Sequence, residues 1–225
     1  MHSELNSHQL AEAMRQDILS RVIIPVENQP RVIQIWGPCR TATGALITTV
    51  SRADAVVIKH IQPLKAFARK FVQQTTGNAP VTALTFLKDT LELTPGDHTE
   101  THKETFGPDP NSPAEFLDPI SLLLQKGLQP EKLVVIPTTR DPVEVAHSWG
   151  RMWHWDINTF PFEGFNHSFR HTLNLIHLAQ NLNITVIPYV HDLIRDFGTD
   201  RIISLMFQKL DLQFHPGITM WPGED

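Results

Sequence analysis

The stretch Val135-Ile-Pro-Thr-Thr-Arg-Asp-Pro-Val-Glu-Val-Ala-His-Ser148 joins an apolar run directly to the start of a helix. The apolar residues 133–136 predict a buried strand. Asp141 and Glu144 then supply an N-cap and a capping-box carboxylate, with a first-turn proline between them. Arg140 is therefore expected at the carboxyl end of a strand, and a strand that runs at once into a helix is typical of an α/β fold.

Ser148 lies eight residues after Arg140, two turns into the predicted helix. In open α/β sheets ligands bind at the carboxyl ends of the strands, and a guanidinium beside a hydroxyl suits a phosphate. The pair Arg140 and Ser148 therefore predicts a phosphate site. The structural alternative is a helix cap beside a surface arginine.

A second strand, loop and helix occur about 100 residues earlier. Arg31–Trp36 predict the strand, Gly37-Pro-Cys-Arg-Thr-Ala-Thr-Gly44 the loop, and Ala45–Val50 the helix. Small residues in such a loop let backbone N–H groups approach an anion, and the helix start adds its positive end. The predicted phosphate-binding residues are Arg40, Thr41, Ala42, Thr43, Gly44 and Ala45. No lysine follows Gly44, so the loop lacks the motif of nucleotide triphosphatases, and an ordinary strand-to-helix turn is the alternative.

Strands and helices are predicted to alternate along the rest of the chain. The other predicted segments are a helix at 8–22, a strand at 56–58, a helix at 64–72, an apolar run at 81–87, loops around a short edge strand at 92–113, a helix at 114–126, a helix at 167–181, a strand at 184–190 and a helix at 200–210. This order indicates an α/β single-domain three-layer sandwich, with a central, mostly parallel sheet flanked by helices in a P-loop-like arrangement. We expect residues 1–225 to form one domain, with 1–29 as an N-terminal helical extension.

Composition narrows the class of protein. Of the 225 residues 41% are hydrophobic and 19% charged, as in ordinary globular proteins, and the net charge of −5 argues against a general nucleic-acid binder. No apolar run is long enough to span a membrane, and the first residues lack a signal-peptide pattern. We expect a cytoplasmic protein without nucleic-acid or membrane partners. Cys39 is the single cysteine, so no internal disulfide can form.

Taken together, the two loops resemble those of sulfotransferases that use 3'-phosphoadenosine 5'-phosphosulfate (PAPS). Arg40-Thr-Ala-Thr43 resembles the family loop that holds the 5'-phosphosulfate, and Arg140 with Ser148 resembles the pair that holds the 3'-phosphate. Val186–Leu193 is similar to the family strand that ends in Tyr-Glu-Asp-Leu. The resemblance covers about residues 31–210. It implies transfer of a sulfuryl group from PAPS to a hydroxyl or amine of a small-molecule acceptor, without a metal, leaving adenosine 3',5'-bisphosphate.

The chain departs from the family pattern at two positions. Ala42 stands where the loop usually has glycine, and Gln62-Pro63 stands where bacterial relatives often have Glu-Pro. Because that glutamate resembles a catalytic base and glutamine cannot accept a proton, either the base is another residue or the enzyme is weakened. His60 is the predicted base, since it shares the strand face of Gln62, with a solvent-facing loop residue as the alternative.

Lysines and aromatic residues complete the predicted site. Lys103 or Lys88 is expected to neutralise charge on the oxygen that bridges phosphate and sulfate, and the sequence does not choose between them. A cluster of aromatic residues after the second loop predicts either an acceptor pocket or a helix end packed on the core, with one histidine as a reserve base. Its members are Trp149, Trp153, His154 and Trp155.

Other functions fit the sequence less well. The histidine pairs at 98 and 102 and at 167 and 171 lack a clear third ligand, so no metal site is predicted. The alternatives to a sulfotransferase are a degenerate nucleotide-binding protein of the same fold, which Gln62 would suit, and a P-loop nucleotide kinase.

Overall fold

Alternating strands and helices run through the described part of the chain. The computed structural model describes residues 7–21, 24–62, 64–68, 92–109 and 112–219, and for 21, 59–61 and 216 the backbone alone. The strands are β1 (Arg31–Pro38), β2 (Val56–Ile61), β3 (Thr99–Phe106), β4 (Leu133–Thr139), β5 (Thr185–Val186) and β6 (Tyr189–Val190). The α-helices are α1 (Ser7–Arg21), α2 (Thr43–Val50), α3 (Pro119–Gln125), α4 (Pro142–Trp153), α5 (Phe162–Asn181), α6 (Leu193–Phe197) and α7 (Thr199–Lys209). Residues 64–68 are also helical, and short 3₁₀ helices occupy Pro113–Phe116, Pro130–Lys132 and Pro216–Thr219.

The sheet has the order β2-β3-β1-β4-β5, and β6 pairs with β4. Every pairing between the described strands is parallel. Trp36 of β1 lies opposite Pro137 of β4, so the two strands end at the same edge of the sheet. The loops that carry Arg40 and Arg140 therefore begin side by side.

Helices cover both faces of the sheet. Because side chains alternate along a strand, Val32 and Trp36 of β1 join one buried cluster, whereas Ile33 and Ile35 join another. Helices α1, α3 and α5 contribute to the first cluster, and α2 and α7 to the second. The predicted α/β sandwich with a parallel sheet is confirmed, and the predicted N-terminal helix packs in one of its layers.

Several local predictions were wrong. The short edge strand predicted within 92–113 is the eight-residue β3, which lies inside the sheet between β1 and β2. The helix predicted at 114–126 is a 3₁₀ turn and a separate helix, because Asp118 caps a new start by accepting hydrogen bonds from the backbone amides of Ile120 and Ser121. The strand predicted at 184–190 divides into β5 and β6 around Ile187-Pro188. The apolar run 81–87 lies outside the described residues.

Candidate active site

A cleft of about 420 Å³ opens at the carboxyl ends of β1, β3 and β4, within the size range of small-molecule sites. Both predicted loops border it, together with the ends of β2, β3 and α4. The lining residues are Cys39, Arg40, Ala42, Thr43, Gly44, Ala45, Gln62, Lys103, Thr105, Arg140, Met152, Trp153 and His191. The two loops predicted from separate parts of the sequence thus share one cavity.

The first loop turns sharply between β1 and α2. Arg40 and Ala42 both have positive φ angles, 71° and 70°, in the left-handed region that non-glycine residues rarely adopt. The first intrahelical bond of α2 runs from the Leu46 amide to the Ala42 carbonyl. The amides of Thr43, Gly44 and Ala45 therefore belong to the open first turn of the helix, where backbone N–H groups suit an anion.

Ser148 connects the first loop to α4. The Arg40 Nε donates a hydrogen bond to the Ser148 Oγ at 3.0 Å, and Ser148 is buried. The Thr41 hydroxyl is fully buried, donates to the Pro38 carbonyl at 2.7 Å and lies 2.6 Å from the Thr138 hydroxyl. Its side chain thus fixes the loop between β1 and β4, while Arg40 remains exposed at the cleft.

The second loop begins α4 as predicted, except for the role of Glu144. The Asp141 carboxylate caps the helix by accepting from the amides of Val143 and Glu144. The capping-box prediction was wrong, because the Glu144 carboxylate instead accepts from the Arg140 Nε at 3.0 Å and from Arg195 at 2.6 Å. Hydrogen bonds from these two guanidinium groups lower the pKa of Glu144, and the bond from Arg140 has the larger effect.

Arg140, Asp141 and Glu144 form what we call the second corner of the cleft, and the segment that follows β6 completes it. Asp192 accepts a hydrogen bond from the Asp141 amide at 2.6 Å and another from Arg195 at 2.8 Å. The preceding residue, His191, lines the cleft and donates its backbone N–H to the Thr139 carbonyl. The Val186–Leu193 segment therefore holds the start of α4 in place.

Lys103 and Thr105 line the opposite end of the cleft, because residues two apart on β3 share one face of the strand. Burial lowers the pKa of Lys103, and Glu104 partly offsets this effect. Gln62 has a positive φ of 58° and donates its side-chain amide to the Thr105 hydroxyl. His60 lies within β2, where the structure describes its backbone alone, and Lys88 lies outside the described residues.

A buried polar cluster lies behind this end of the cleft. The Lys65 ammonium pairs with the Glu115 carboxylate at 3.3 Å and donates to the Gly107 carbonyl at 2.5 Å. The Cys39 thiol, whose pKa is raised by burial, donates to the same carbonyl. Glu104 is wholly buried and accepts from the Leu64 amide, and burial raises its pKa to about 7. These contacts fix the β3 backbone that presents Lys103.

The aromatic residues after the second loop divide between two roles. Trp149 is fully buried and donates its indole N–H to the Cys39 carbonyl at 2.8 Å, so it supports the first loop from inside. Trp153 lines the cleft and stacks on Trp155, with ring centroids 5.1 Å apart. His154 is exposed and, together with Trp155, borders a second groove that Arg140 also lines.

Sequence reasoning missed four residues of the cleft, Cys39, Thr105, Met152 and His191. Thr105 lies two residues after Lys103, so a strand prediction for this segment would have placed both side chains on the same face. His191 follows the short β6, whose pairing with β4 places it beside Arg140. No sequence signal indicated Met152.

The described residues contain no group of three or more histidine, cysteine or acidic side chains that could hold a metal ion. None of the helices in the described ranges is both long enough and apolar enough to cross a membrane.

Solved structures of sulfotransferases are similar in fold to this chain. The sulfotransferase domain from the curacin biosynthetic pathway superimposes with a TM-score of 0.52 at 12% identity, over 85% of this chain and 77% of that chain. A sulfotransferase from Alicyclobacillus acidocaldarius gives a TM-score of 0.49 at 11% identity, over 88% of this chain and 87% of that chain. No protein-family model and no curated protein matches the sequence. The superposition on the curacin-pathway domain shows that the chain has a sulfotransferase-like fold.

Proposed function

We propose that this protein transfers the sulfuryl group of PAPS to a hydroxyl or amine of a small-molecule acceptor. The observation that carries the proposal is the cleft, which is lined by one arginine at each of two neighbouring strand ends and by the open start of α2. A ligand with phosphates at two separate positions can place one phosphate at each arginine. The sulfotransferase-like fold is consistent with this assignment but does not fix a substrate.

In the proposed complex the 5'-phosphosulfate binds at the first corner of the cleft, which is formed by Arg40 and the start of α2. Arg40 and the first-turn amides of α2, at Thr43, Gly44 and Ala45, face the anion. Thr41 fixes the loop through its hydrogen bonds with Pro38 and Thr138. The 3'-phosphate occupies the second corner, at Arg140. Ser148 serves the first loop instead, because its hydroxyl accepts a hydrogen bond from Arg40 and orients that guanidinium.

The reaction forms one bond and breaks one bond at sulfur. The acceptor oxygen or nitrogen attacks the sulfur in line, the bond from sulfur to the bridging phosphate oxygen breaks, and adenosine 3',5'-bisphosphate leaves. Lys103 lines the cleft, and we assign to it the neutralisation of the negative charge that develops on the bridging oxygen. We assign removal of the acceptor's proton to His60, since Gln62 cannot accept one.

A transfer assay tests this function. Purified protein is incubated with PAPS labelled in the sulfuryl group and with separate panels of phenols, alcohols and amines, and labelled product is measured. We expect transfer to at least one acceptor class. Lys103→Ala is expected to lower kcat by about 100-fold, as when one charge-stabilising donor is removed. His60→Ala is expected to lower it by about 100-fold or more.

The exposed Lys209 on α7 supplies a matched control, and Lys209→Ala should retain full activity. If the protein binds adenosine 3',5'-bisphosphate but transfers sulfate to no acceptor, it is a nucleotide-binding protein that has lost catalysis. Binding of neither PAPS nor the bisphosphate would refute the proposed function altogether.

A further inference from the structure

His191 brings a titratable ring to the second corner of the cleft. His191 follows β6, whose last residue, Val190, pairs with Thr139 of β4. The next residue after each strand is therefore His191 on one side and Arg140 on the other. Its backbone N–H donates to the Thr139 carbonyl at 2.9 Å, which fixes this register. The residue is half-buried and lines the same cavity as the first loop.

We propose that His191 is an anion-binding residue of the cleft and takes up a proton when a phosphate binds beside Arg140. This inference rests on the proposed function for the identity of the nucleotide, but not for the existence of the anion site. It assigns a role to a position that the resemblance to sulfotransferases left open, because the family strand ends in Tyr-Glu-Asp-Leu whereas this chain has His191 before Asp192.

The groups around His191 favour the neutral form of the ring when the cleft holds no anion. Burial and the positive charge of Arg140 lower the pKa of His191, and Arg195 acts in the same direction. Asp192 and Glu144 oppose this effect. The Tyr189 hydroxyl lies 3.5 Å from the Nδ1 atom, and burial keeps that phenol un-ionised by raising its pKa to about 12.

An incoming phosphate reverses this balance. It brings negative charge to Arg140, whose positive charge opposes protonation of the imidazole, and adds its own attraction for an imidazolium. The pKa of His191 therefore rises on binding, and the affinity for the anion is highest at low pH. Affinity falls as the pH rises through the interval between the unliganded and liganded pKa values. A rise of one in this pKa corresponds to about a tenfold change in affinity across that interval.

Calorimetric titration measures the proton directly. Adenosine 3',5'-bisphosphate is titrated into the full-length protein at several pH values, in pairs of buffers that differ in their enthalpy of protonation. The number of protons taken up is compared between wild type and His191→Gln, so that protonation of the ligand itself cancels. We expect wild type to take up more protons than the variant and to bind roughly tenfold more tightly at the acid end of the range, with a flatter pH profile for the variant. His177→Gln, at an exposed position of α5, should behave like wild type.

Histidine NMR signals provide a second readout that does not depend on the variant's folding. The His191 ring should titrate at higher pH after the anion is added. If the bisphosphate does not bind, inorganic pyrophosphate is used in the same comparison, which separates failure of the cofactor assignment from failure of this inference. Equal proton uptake by wild type and His191→Gln, or an unchanged His191 titration in the presence of a bound anion, overturns the proposal. Failure of both anions to bind also overturns it.

Discussion

The two arginines that follow β1 and β4 occupy similar places at one edge of the sheet but have different partners. Arg40 donates to the neutral hydroxyl of Ser148, and among the described residues no carboxylate pairs with it. Arg140 binds the Glu144 carboxylate, which Arg195 shares. Within the described residues, an anion at Arg40 therefore meets a charge without a counter-ion, whereas an anion at Arg140 has to share the guanidinium with Glu144. We infer that the first corner supplies affinity for both kinds of nucleotide, whereas the second supplies selectivity for a ligand with a second phosphate.

The strand ends that carry the two corners approach each other closely at Gly37. A Cβ atom at this position would lie 2.4 Å from the Thr138 carbonyl oxygen, a backbone atom that cannot move aside freely. Gly37→Ala should therefore push β1 and β4 apart, destabilise the protein by about 1–3 kcal/mol and abolish the difference between the corners by disrupting both. Chemical denaturation and nucleotide titration measure these effects.

Gly44 is the matched control for stability, because a Cβ atom there would meet nothing within 4 Å. Gly44→Ala should be neutral or stabilise α2 by up to about 1 kcal/mol. Equal destabilisation by the two substitutions would contradict the close approach of the strands at Gly37.

Removal of the Arg40 guanidinium tests the corner that supplies affinity. Arg40→Ala should weaken adenosine 3',5'-bisphosphate and adenosine 5'-phosphate alike, by between about 10-fold and 100-fold, because both place a phosphate in the first loop. Calorimetry with the two nucleotides gives the two ratios. A loss confined to the bisphosphate would mean that Arg40 serves the 3'-phosphate instead.

The similarity of the two corners was visible in the sequence, but their difference was not. Strand, loop and helix recur around Arg40 and Arg140, and local signals such as the Asp141 cap suffice to predict the α/β fold there. The partners of each arginine come from distant segments. Ser148 reaches Arg40 across 108 residues and Arg195 reaches Glu144 across 51, and no local pattern specifies such pairs.

β3 was underestimated for a related reason. Its sequence, Thr-Glu-Thr-His-Lys-Glu-Thr-Phe, has the polarity of an exposed strand, yet Glu100 and Glu104 are buried. Burial of such carboxyl groups is tolerated because the rest of the fold supplies donors, including the Thr94 amide to Glu100 and the Leu64 amide to Glu104. Because those donors lie on other segments, the polar sequence of β3 by itself indicated only a short edge strand.

Neutralisation of Glu144 should sharpen the role of the second corner. Glu144→Gln keeps a hydrogen-bond acceptor near Arg140 but removes the charge that competes with a phosphate. We expect adenosine 3',5'-bisphosphate to bind up to about fivefold more tightly, the range of an exposed charge pair, with no change for adenosine 5'-phosphate. Weaker bisphosphate binding would show that Glu144 orients Arg140 instead of competing for it.

The smallest expected effect concerns the backbone of the first loop. Ala42 has a φ of 70°, a conformation that glycine adopts without steric cost. Ala42→Gly should therefore leave the free energy of unfolding unchanged or raise it by up to about 1 kcal/mol. Ala45→Gly, three residues on within α2, should lower it by about 1 kcal/mol. Destabilisation of the same size by both would argue against a left-handed conformation at residue 42.

Selectivity for the 3'-phosphate at Arg140 is the central claim, and a paired titration tests it most directly. Wild type and Arg140→Ala are each titrated with adenosine 3',5'-bisphosphate and with adenosine 5'-phosphate. We predict that the substitution weakens the bisphosphate by about 10-fold to 100-fold and the monophosphate by less than about threefold. Equal losses for the two nucleotides would contradict the assignment of this corner to a second phosphate.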